Sequence, residues 1–424
     1  MSKRSWLLGV GALVLIGLLL ACGSNYNASQ DGLLLVGSQG SGLIETFSFT
    51  LSNGHISAIA NTPTDTSSQT CVLNGLPGSM VMDPAGVYAY AILLANSSCS
   101  GSKTGIAAFK VSSDGNITQA GSLVPDSSPV ALSMDPAGKF LFVAEGEGPA
   151  LVNSYVIGSG ATLTAAPPTF SFVNGTGFQT PNIVAIAPTP TVFPNIGISG
   201  VQNAVCSAPG NNPPTAQFLY AVDSVNYVVW EFSVDTTSGA LGNPPSKASV
   251  PYIAADQVPL GVAVDPCDRF AYVSDSLTNK VSAYQVCSVV MQPTCVVADG
   301  SLVPIPGSPF LLAGGANKPG PIVVDPYGNY VYTLGTLSNT ISPFKISPVT
   351  GALTAFTTPT IATGVGPVSI VIRGDDNWMF VANYGNTALG GSTVSQYSIA
   401  PSTGLLTAEP VIQTDNYPWG LAVK

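Results

Sequence analysis

Carboxylate or amide side chains directly follow short aromatic or aliphatic segments at four places in the chain. They are Glu145 in VAEGEG, Asp223 in AVDS, Asp275 in VSDS and Asn383 in VAN. Carboxylates can act as general bases toward water, and several together are typical ligands of Ca²⁺. We therefore treat these four as candidate ligand-binding residues, with Ca²⁺ as the one cofactor to consider. The alternative is that they are solvated ends of acidic loops.

Histidine offers almost nothing for acid–base chemistry, because His55 is the only one in the chain. It follows Asn53-Gly54, a dipeptide typical of a hairpin turn, so we expect it to be solvated. One histidine excludes a multi-histidine metal site, and a solvated one leaves no Ser/His/Asp arrangement. The sequence identifies no catalytic set, and whether the chain is an enzyme stays open.

Composition limits the elements that can position these residues. Of the 424 residues, 46% are hydrophobic and only 8% are charged. The apolar content excludes wholesale disorder, and the low charge disfavours helix bundles with charged surfaces. With 12 Lys and Arg against 22 Asp and Glu, there is no basic surplus for binding nucleic acid.

The N-terminus resembles an export signal. Lys3-Arg4 precedes an apolar run from Trp6 to Leu20, and Leu19-Leu20-Ala21-Cys22 resembles a bacterial lipobox. We predict a lipoprotein signal peptide over 1–21, a lipid on Cys22 that holds the chain to a membrane, and a polar tether over 22–30. The expected location is the extracytoplasmic side of the cell envelope, in the periplasm or at the cell surface. The alternative is a secretory signal with an incidental cysteine.

Four sequence patterns recur along the rest of the chain. The first is an apolar strand ending in Asp-Pro, at Asp83, Asp135, Asp265 and Asp325, with weaker copies at Ala187 and Arg373 and a last one reaching Lys424. Aromatic pairs two residues apart follow, such as Phe140/Phe142 and Tyr330/Tyr332. A single aromatic and then a glycine turn complete each copy. Spacings between copies are 48 to 60 residues, except one of 78.

Four short strands repeated seven times predict an all-β fold, a seven-bladed β-propeller of four-stranded antiparallel blades over 31–424. The N-terminal blade has only its second, third and fourth strands, and the C-terminus has a lone first strand. We therefore expect the C-terminal strand to join the N-terminal blade and close the ring. A Pro-, Asn- and Gly-rich loop insertion over 188–216 accounts for the long spacing.

The motifs DPxGxFxYV, VSxYxI and GxLT resemble those of the seven-bladed lactonase-like propellers, which include bacterial 6-phosphogluconolactonases and YVTN-repeat relatives. The resemblance implies that a lactonase carries basic and acidic side chains, often including His, around its channel mouth. No such set maps onto this chain. Only Lys103, Lys280 and Lys318 fall in loops of the rim that carries the candidate carboxylates, too few for a phosphate pocket.

We accordingly expect a non-catalytic scaffold that binds a protein or glycan partner. The alternative is a hydrolase of a non-phosphorylated sugar lactone that uses rim carboxylates. Aromatic residues near the same rim either stack on a sugar or pack loops; they are Tyr227, Tyr384, Tyr417 and Trp419.

Beyond Cys22 the chain has six cysteines, an even number that suits disulfides in an exported protein. The propeller layout places cysteines together in pairs, which predicts Cys71–Cys99, Cys206–Cys267 and Cys287–Cys295. A metal site is the rival, but there is no CxxC pair and no nearby His.

Overall fold

The computed structural model describes residues 31–59, 76–96, 102–146, 150–166, 170–171, 179–189, 217–247, 251–288, 294–385 and 392–424. These residues form seven antiparallel sheets, which are the blades of a β-propeller. The two helices in this part of the chain are 3₁₀ turns, Ser159–Ala161 and Pro245–Lys247. No helix among the described residues is long and apolar enough to cross a membrane. The predicted all-β fold is confirmed.

The strands of blades 1 to 3 are, in chain order, β1 (Asp31–Ser38), β2 (Leu43–Thr50), β3 (Ile56–Ala58), β4 (Leu76–Met82), β5 (Tyr88–Leu94), β6 (Gly105–Val111), β7 (Ile117–Pro125), β8 (Pro129–Met134), β9 (Phe140–Glu145), β10 (Ala150–Ile157), β11 (Leu163–Ala165) and β12 (Phe170–Ser171). Those of blades 4 and 5 are β13 (Ile183–Pro188), β14 (Gln217–Asp223), β15 (Val228–Val234), β16 (Leu241–Gly242), β17 (Tyr252–Ala254), β18 (Pro259–Val264), β19 (Phe270–Asp275), β20 (Lys280–Val286), β21 (Leu302–Pro304) and β22 (Phe310–Leu311). Blades 6 and 7 contain β23 (Pro319–Val324), β24 (Tyr330–Gly335), β25 (Thr340–Ile346), β26 (Leu353–Ala355), β27 (Ile361–Ala362), β28 (Pro367–Ile372), β29 (Trp378–Asn383), β30 (Thr393–Ala400), β31 (Leu405–Ala408) and β32 (Ile412–Gln413), and β33 (Pro418–Val423) ends the chain.

Each blade has four strand positions, but the outermost one is broken in blades 3 to 7. In blade 5, for example, β21 and β22 both pair with β20, so two short segments share the fourth position. Turns between first and second strands and between third and fourth strands lie on one face of the ring, which we call the turn face. The other connections lie on the opposite face, which we call the loop face.

The ring closes as predicted. Strand β33 pairs with β1, with Leu421 opposite Val36, and so supplies the first strand of the N-terminal blade. Leu421 and Val36 are buried in the same apolar cluster. The closed ring leaves no blade with an unpaired second strand.

The recurring Asp-Pro pair forms the turn between first and second strands. Asp135 Oδ1 accepts the backbone N–H of Lys139 at 2.6 Å and that of Phe140 at 2.5 Å. The aspartates of blades 2, 5 and 6 make the same two bonds. Each side chain thus fixes a tight reversal at the turn face.

Neighbouring blades are joined by a hydrogen bond. A tyrosine on the second strand of one blade donates it to the carbonyl of the turn glycine in the next blade. Tyr272 Oη donates to the carbonyl of Gly351 at 3.0 Å, and Tyr332 Oη donates to Gly404 at 2.8 Å. Gly351 has φ +71°, and a Cβ there would lie 2.5 Å from the ring of Phe270. The repeated glycine is therefore needed because the neighbouring blade's aromatic ring packs directly on it.

Candidate functional site

A cavity with a volume of about 420 Å³ lies on the axis of the propeller. All seven first strands line it, mainly with their loop-face ends. The lining side chains are apolar or small, and none is ionisable; Ser79, Ser369 and Trp419 are those with polar atoms. The cavity is thus a neutral pocket, a common form for small-molecule sites.

The mouth of this cavity is shaped by irregularities in the first strands. In each blade the pairing of the first and second strands shifts register near the loop face. The residue at the shift is Val130, Val184, Leu260, Val368 or Trp419 in five blades, whereas Gly78 and Gly320 stand at this position in blades 2 and 6. A bulge of this kind re-aims a side chain out of the ladder.

Three of the four predicted aromatics come together at this mouth. The ring of Tyr384 stacks on that of Tyr417 with centroids 4.8 Å apart, and meets Trp419 edge-on at 5.5 Å. Trp419 stays 38% exposed and lines the cavity. Tyr227, 39% exposed, lies in the loop after β14 of blade 4 and is not part of this cluster. The cluster both packs loops and presents an aromatic surface.

The four candidate polar residues end the second strands of blades 3, 4, 5 and 7, at the loop face as expected. Their side chains are buried, however, and each bonds within its own blade. Asp223, for example, accepts from Asn226 Nδ2 at 2.7 Å and from Trp230 Nε1 at 3.3 Å. Asn383 Nδ2 donates to Thr393 Oγ1 and to Ser395 Oγ. The structure therefore does not gather Glu145, Asp223, Asp275 and Asn383 into one site, because third-strand and loop groups hold each in place.

Glu145 is instead paired with the loop carboxylate of Asp126. Asn153 Nδ2 donates to Glu145 Oε1 at 2.7 Å and to Asp126 Oδ2 at 3.3 Å. Burial, and then the charge of Asp126, raises the pKa of Glu145 to about 8. Burial and Asp126 thus both favour the protonated form of Glu145, whose side chain is only 4% exposed.

Two other blades repeat this pairing of a buried acid with a loop carboxylate. Asp275 accepts from Ser282 Oγ at 2.7 Å, and its pKa rises to about 7, mainly through burial, with the charge of Asp256 adding to the effect. In blade 1 the acid is Glu45, which accepts from the backbone N–H of Asp415 at 3.0 Å. Burial raises the pKa of Glu45 to about 7.

Sequence reasoning missed Glu45 because it lies on a third strand. The signal that could have found it is its position two residues before Phe47, which matches Asn153 before Tyr155 and Ser282 before Tyr284. Among the described residues, no three His, Cys, Asp or Glu side chains are grouped so that they could hold a metal ion.

The remaining predictions are met in part. His55 is exposed in the turn between β2 and β3, on the turn face and away from the mouth. Cys287 and Cys295 form the predicted disulfide. Cys267 is also disulfide-bonded, to a cysteine outside the described residues. Several predictions concern residues outside the described part of the chain. They are the partner Cys206, the pair Cys71–Cys99, the lipid on Cys22 with the segment 1–30, and residues 190–216 of the insertion.

Comparison with known proteins agrees with the fold and the repeat. Residues 211–417 match the family model of the lactonase seven-bladed β-propellers. The chain is 24% identical over 286 residues to a 6-phosphogluconolactonase of Pectobacterium carotovorum. The aligned region covers 63% of this chain and 81% of that protein. The resemblance predicted from the motifs is confirmed.

Two solved structures share the fold. One is a candidate 6-phosphogluconolactonase of Bacteroides fragilis, with a TM-score of 0.66 and 18% identity over 94% of this chain and 99% of that one. The other is the periplasmic gluconolactonase of Pseudomonas aeruginosa, with a TM-score of 0.63 and 14% identity over 93% of this chain and 99% of that one.

Proposed function

We propose that this chain, a lactonase-like seven-bladed β-propeller, is a non-catalytic binding protein that is exported and held to the cell envelope by a lipid on Cys22. The observation that carries the proposal is the lining of the axial cavity, in which none of the described side chains is ionisable. Hydrolysis needs an acid or base within hydrogen-bond reach of the reacting atoms. The acids with raised pKa values are bonded inside the blades instead.

The ligand that suits this mouth is a neutral sugar ring of a glycan. Trp419 offers a partly exposed indole, and Tyr384 packs edge-on against it. First strands turn an unpaired backbone edge toward the axis, which supplies N–H and C=O groups for hydroxyls. An apolar wall with a few fixed polar groups is the usual composition of a small-molecule site.

The lipid would hold the turn face toward the membrane. The first described strand begins at Asp31, which pairs with Thr50 at the turn-face end of blade 1. Residues 23–30 span at most about 30 Å when fully extended. The loop face and its aromatic cluster would then point away from the bilayer.

Binding of neutral oligosaccharides to the purified full chain, measured by calorimetry, tests this function. We expect Trp419→Ala to weaken binding at least tenfold, about 1.4 kcal/mol, because stacking area is lost. Tyr227→Ala is the matched control, since Tyr227 is equally exposed but lies outside the cluster. Equal losses in both variants, or no binding by the unaltered chain, would refute the proposal.

Lactone hydrolysis is the second candidate function, favoured by the proton-donating Glu145 beside Asp126. Release of acid from glucono- and other aldonolactones measures it directly. Turnover that disappears in Glu145→Gln or Asp275→Asn would replace the binding role with a catalytic one. Absence of turnover across that panel would leave the binding role in place.

A further inference from the structure

The turns of the turn face pack against one another from blade to blade. Between blades 5 and 6, the glycine at the fourth position of one turn, Gly328, faces the aspartate of the preceding turn. A Cβ on Gly328 would lie 3.2 Å from Asp265 Oδ2 and 3.0 Å from Arg269 Nη2. A side chain at this fourth position therefore projects onto the preceding turn's carboxylate.

A guanidinium fills the space at this junction. Arg269 Nε donates to Asp265 Oδ2 at 2.7 Å, Nη2 donates to the carbonyl of Gly328 at 3.3 Å, and Nη1 donates to that of Pro348 at 3.3 Å. One carboxylate and two backbone carbonyls thus form a cradle of oxygens around a positive charge. Charge-assisted bonds of this kind stabilise a buried carboxylate.

The junction between blades 6 and 7 has the equivalent aspartate and backbone carbonyls but no guanidinium. The aspartate is Asp325, the residue at the Arg269 position is Asn329, and the fourth position of the next turn is Asp376 in place of glycine. By position in the repeat, the carbonyls of Asp376 and Pro401 correspond to those of Gly328 and Pro348 in the preceding junction. The charge of Asp325 acts on the carboxyl of Asp376, and the residue at the Arg269 position, Asn329, brings no cation to offset it.

No residue in the described part of the chain offsets the charge of Asp376. Its side chain is fully buried, and neither carboxylate oxygen has a hydrogen-bond partner among the described residues. The nearest basic side chain along the turn, Arg373, already bonds Asp375 and the carbonyl of Lys424. A buried, unpartnered carboxyl is rare and costly unless a proton or an ion accompanies it.

We propose that Asp325 and Asp376 bind a divalent cation, Ca²⁺, between blades 6 and 7, in the place that the Arg269 guanidinium occupies between blades 5 and 6. Carboxylate and carbonyl oxygens are the ligands that this hard cation takes. Burial and the charge of Asp325 raise the pKa of Asp376 to about 8 when no cation is present. A proton shared by the two carboxyls is thus the competing arrangement.

Thermal unfolding of the full chain with Ca²⁺ or with a chelator, at pH 8, separates the two arrangements. A cation that binds only the folded state raises Tm, and we expect a rise of about 2 to 5 °C at a hundredfold excess over the dissociation constant. Asp376→Asn removes one carboxylate and should abolish the rise. Asn329→Arg places a guanidinium at the position that Arg269 has in blade 5. This variant should also show no rise in Tm with Ca²⁺, and it should have a higher Tm than the unaltered chain in the presence of chelator.

Asp268→Asn is the matched control. Asp268 occupies the same turn position in blade 5 and is also buried without a partner, but the preceding blade has Ala187 where the other turns have aspartate. Its loss should leave the response to Ca²⁺ unchanged. A Tm that does not respond to Ca²⁺, or a response that survives in Asp376→Asn, would overturn the proposal.

Discussion

Individual buried carboxyls at the loop face connect the second strand of a blade to its third strand and to a loop. Glu145 shows how such a residue is kept in place, because it accepts from Asn153 on the third strand and from Ser128 in the preceding loop. Burial keeps Glu145 protonated, so it can also donate to Asp126. A residue of this kind contributes to stability through its protonation state.

Stability of the folded chain should therefore fall as pH rises toward 8. Burial and the charge of Asp126 raise the pKa of Glu145 from its ordinary value of 4.5 to about 8 in the folded chain. Its contribution is fully present below pH 4.5 and is lost as pH rises through about 8, because the folded state then gives up a proton that it held. Glu145→Gln imitates the protonated form and cannot ionise. Between pH 5 and pH 8 the unaltered chain should therefore lose about 3.5 kcal/mol of folding free energy that the variant keeps.

Urea unfolding at pH 5 and at pH 8 measures this difference. Asp126→Asn is a useful companion, since removing the neighbouring charge should lower the pKa of Glu145 and flatten the same pH dependence. If Glu145→Gln showed the pH dependence of the unaltered chain, the buried pair would not be its source.

Among the elements, β33 carries the closure of the ring. It covers the edge of β1 and buries Leu421 and Ala422 between blades 7 and 2. Arg373 Nε reinforces the seam by donating to the carbonyl of Lys424 at 2.9 Å. An open first blade would expose the backbone groups of β1 and its apolar faces.

Deletion of Trp419–Lys424 should consequently lower Tm strongly, by about 10 °C or more, or promote aggregation through the exposed edge. Arg373→Ala removes one bond of the seam and should have a much smaller effect, about 1 kcal/mol. Calorimetry and light scattering report both variants. A truncated chain with an unchanged Tm would mean that the ring does not depend on this strand.

Strand positions could be predicted from the sequence because the packing between blades imposes short-range patterns. Phe140 and Phe142 must share one face of a strand, and Gly351 must admit the ring of Phe270, so spacing alone reveals both. The broken fourth strand of blade 5 was not predicted, since the Pro304–Gly307 segment interrupts pairing only in the context of β20. The burial of Glu145 was also missed. The alternation of apolar and polar residues along a strand indicates which face of the sheet a side chain lies on, but it does not identify the side chains that pack against it.

Across the whole molecule, the two faces of the ring have different characters. The turn face is built from short reversals held by Asp135, Asp265 and their equivalents, with Arg269 and Arg373 between blades. The loop face carries the aromatic cluster and exposed apolar side chains such as Leu277 and Leu337. The proposed recognition would therefore take place at the loop face, where the connections vary in length and the axial cavity opens.

An anchor on Cys22 predicts which face approaches the bilayer. Val349, 86% exposed, lies in a turn of the turn face, and Leu277, 63% exposed, lies in a loop of the loop face. A dye attached through Val349→Cys should therefore transfer energy to a labelled lipid more efficiently than one attached through Leu277→Cys, because the proposed tether would keep the turn face near the membrane. Fluorescence of the lipidated full chain in vesicles gives the comparison, and Cys22→Ser should abolish transfer from both positions. Stronger transfer from residue 277 would contradict this orientation. It would mean that the loop face lies nearer the bilayer, although the chain enters the propeller at Asp31 on the turn face.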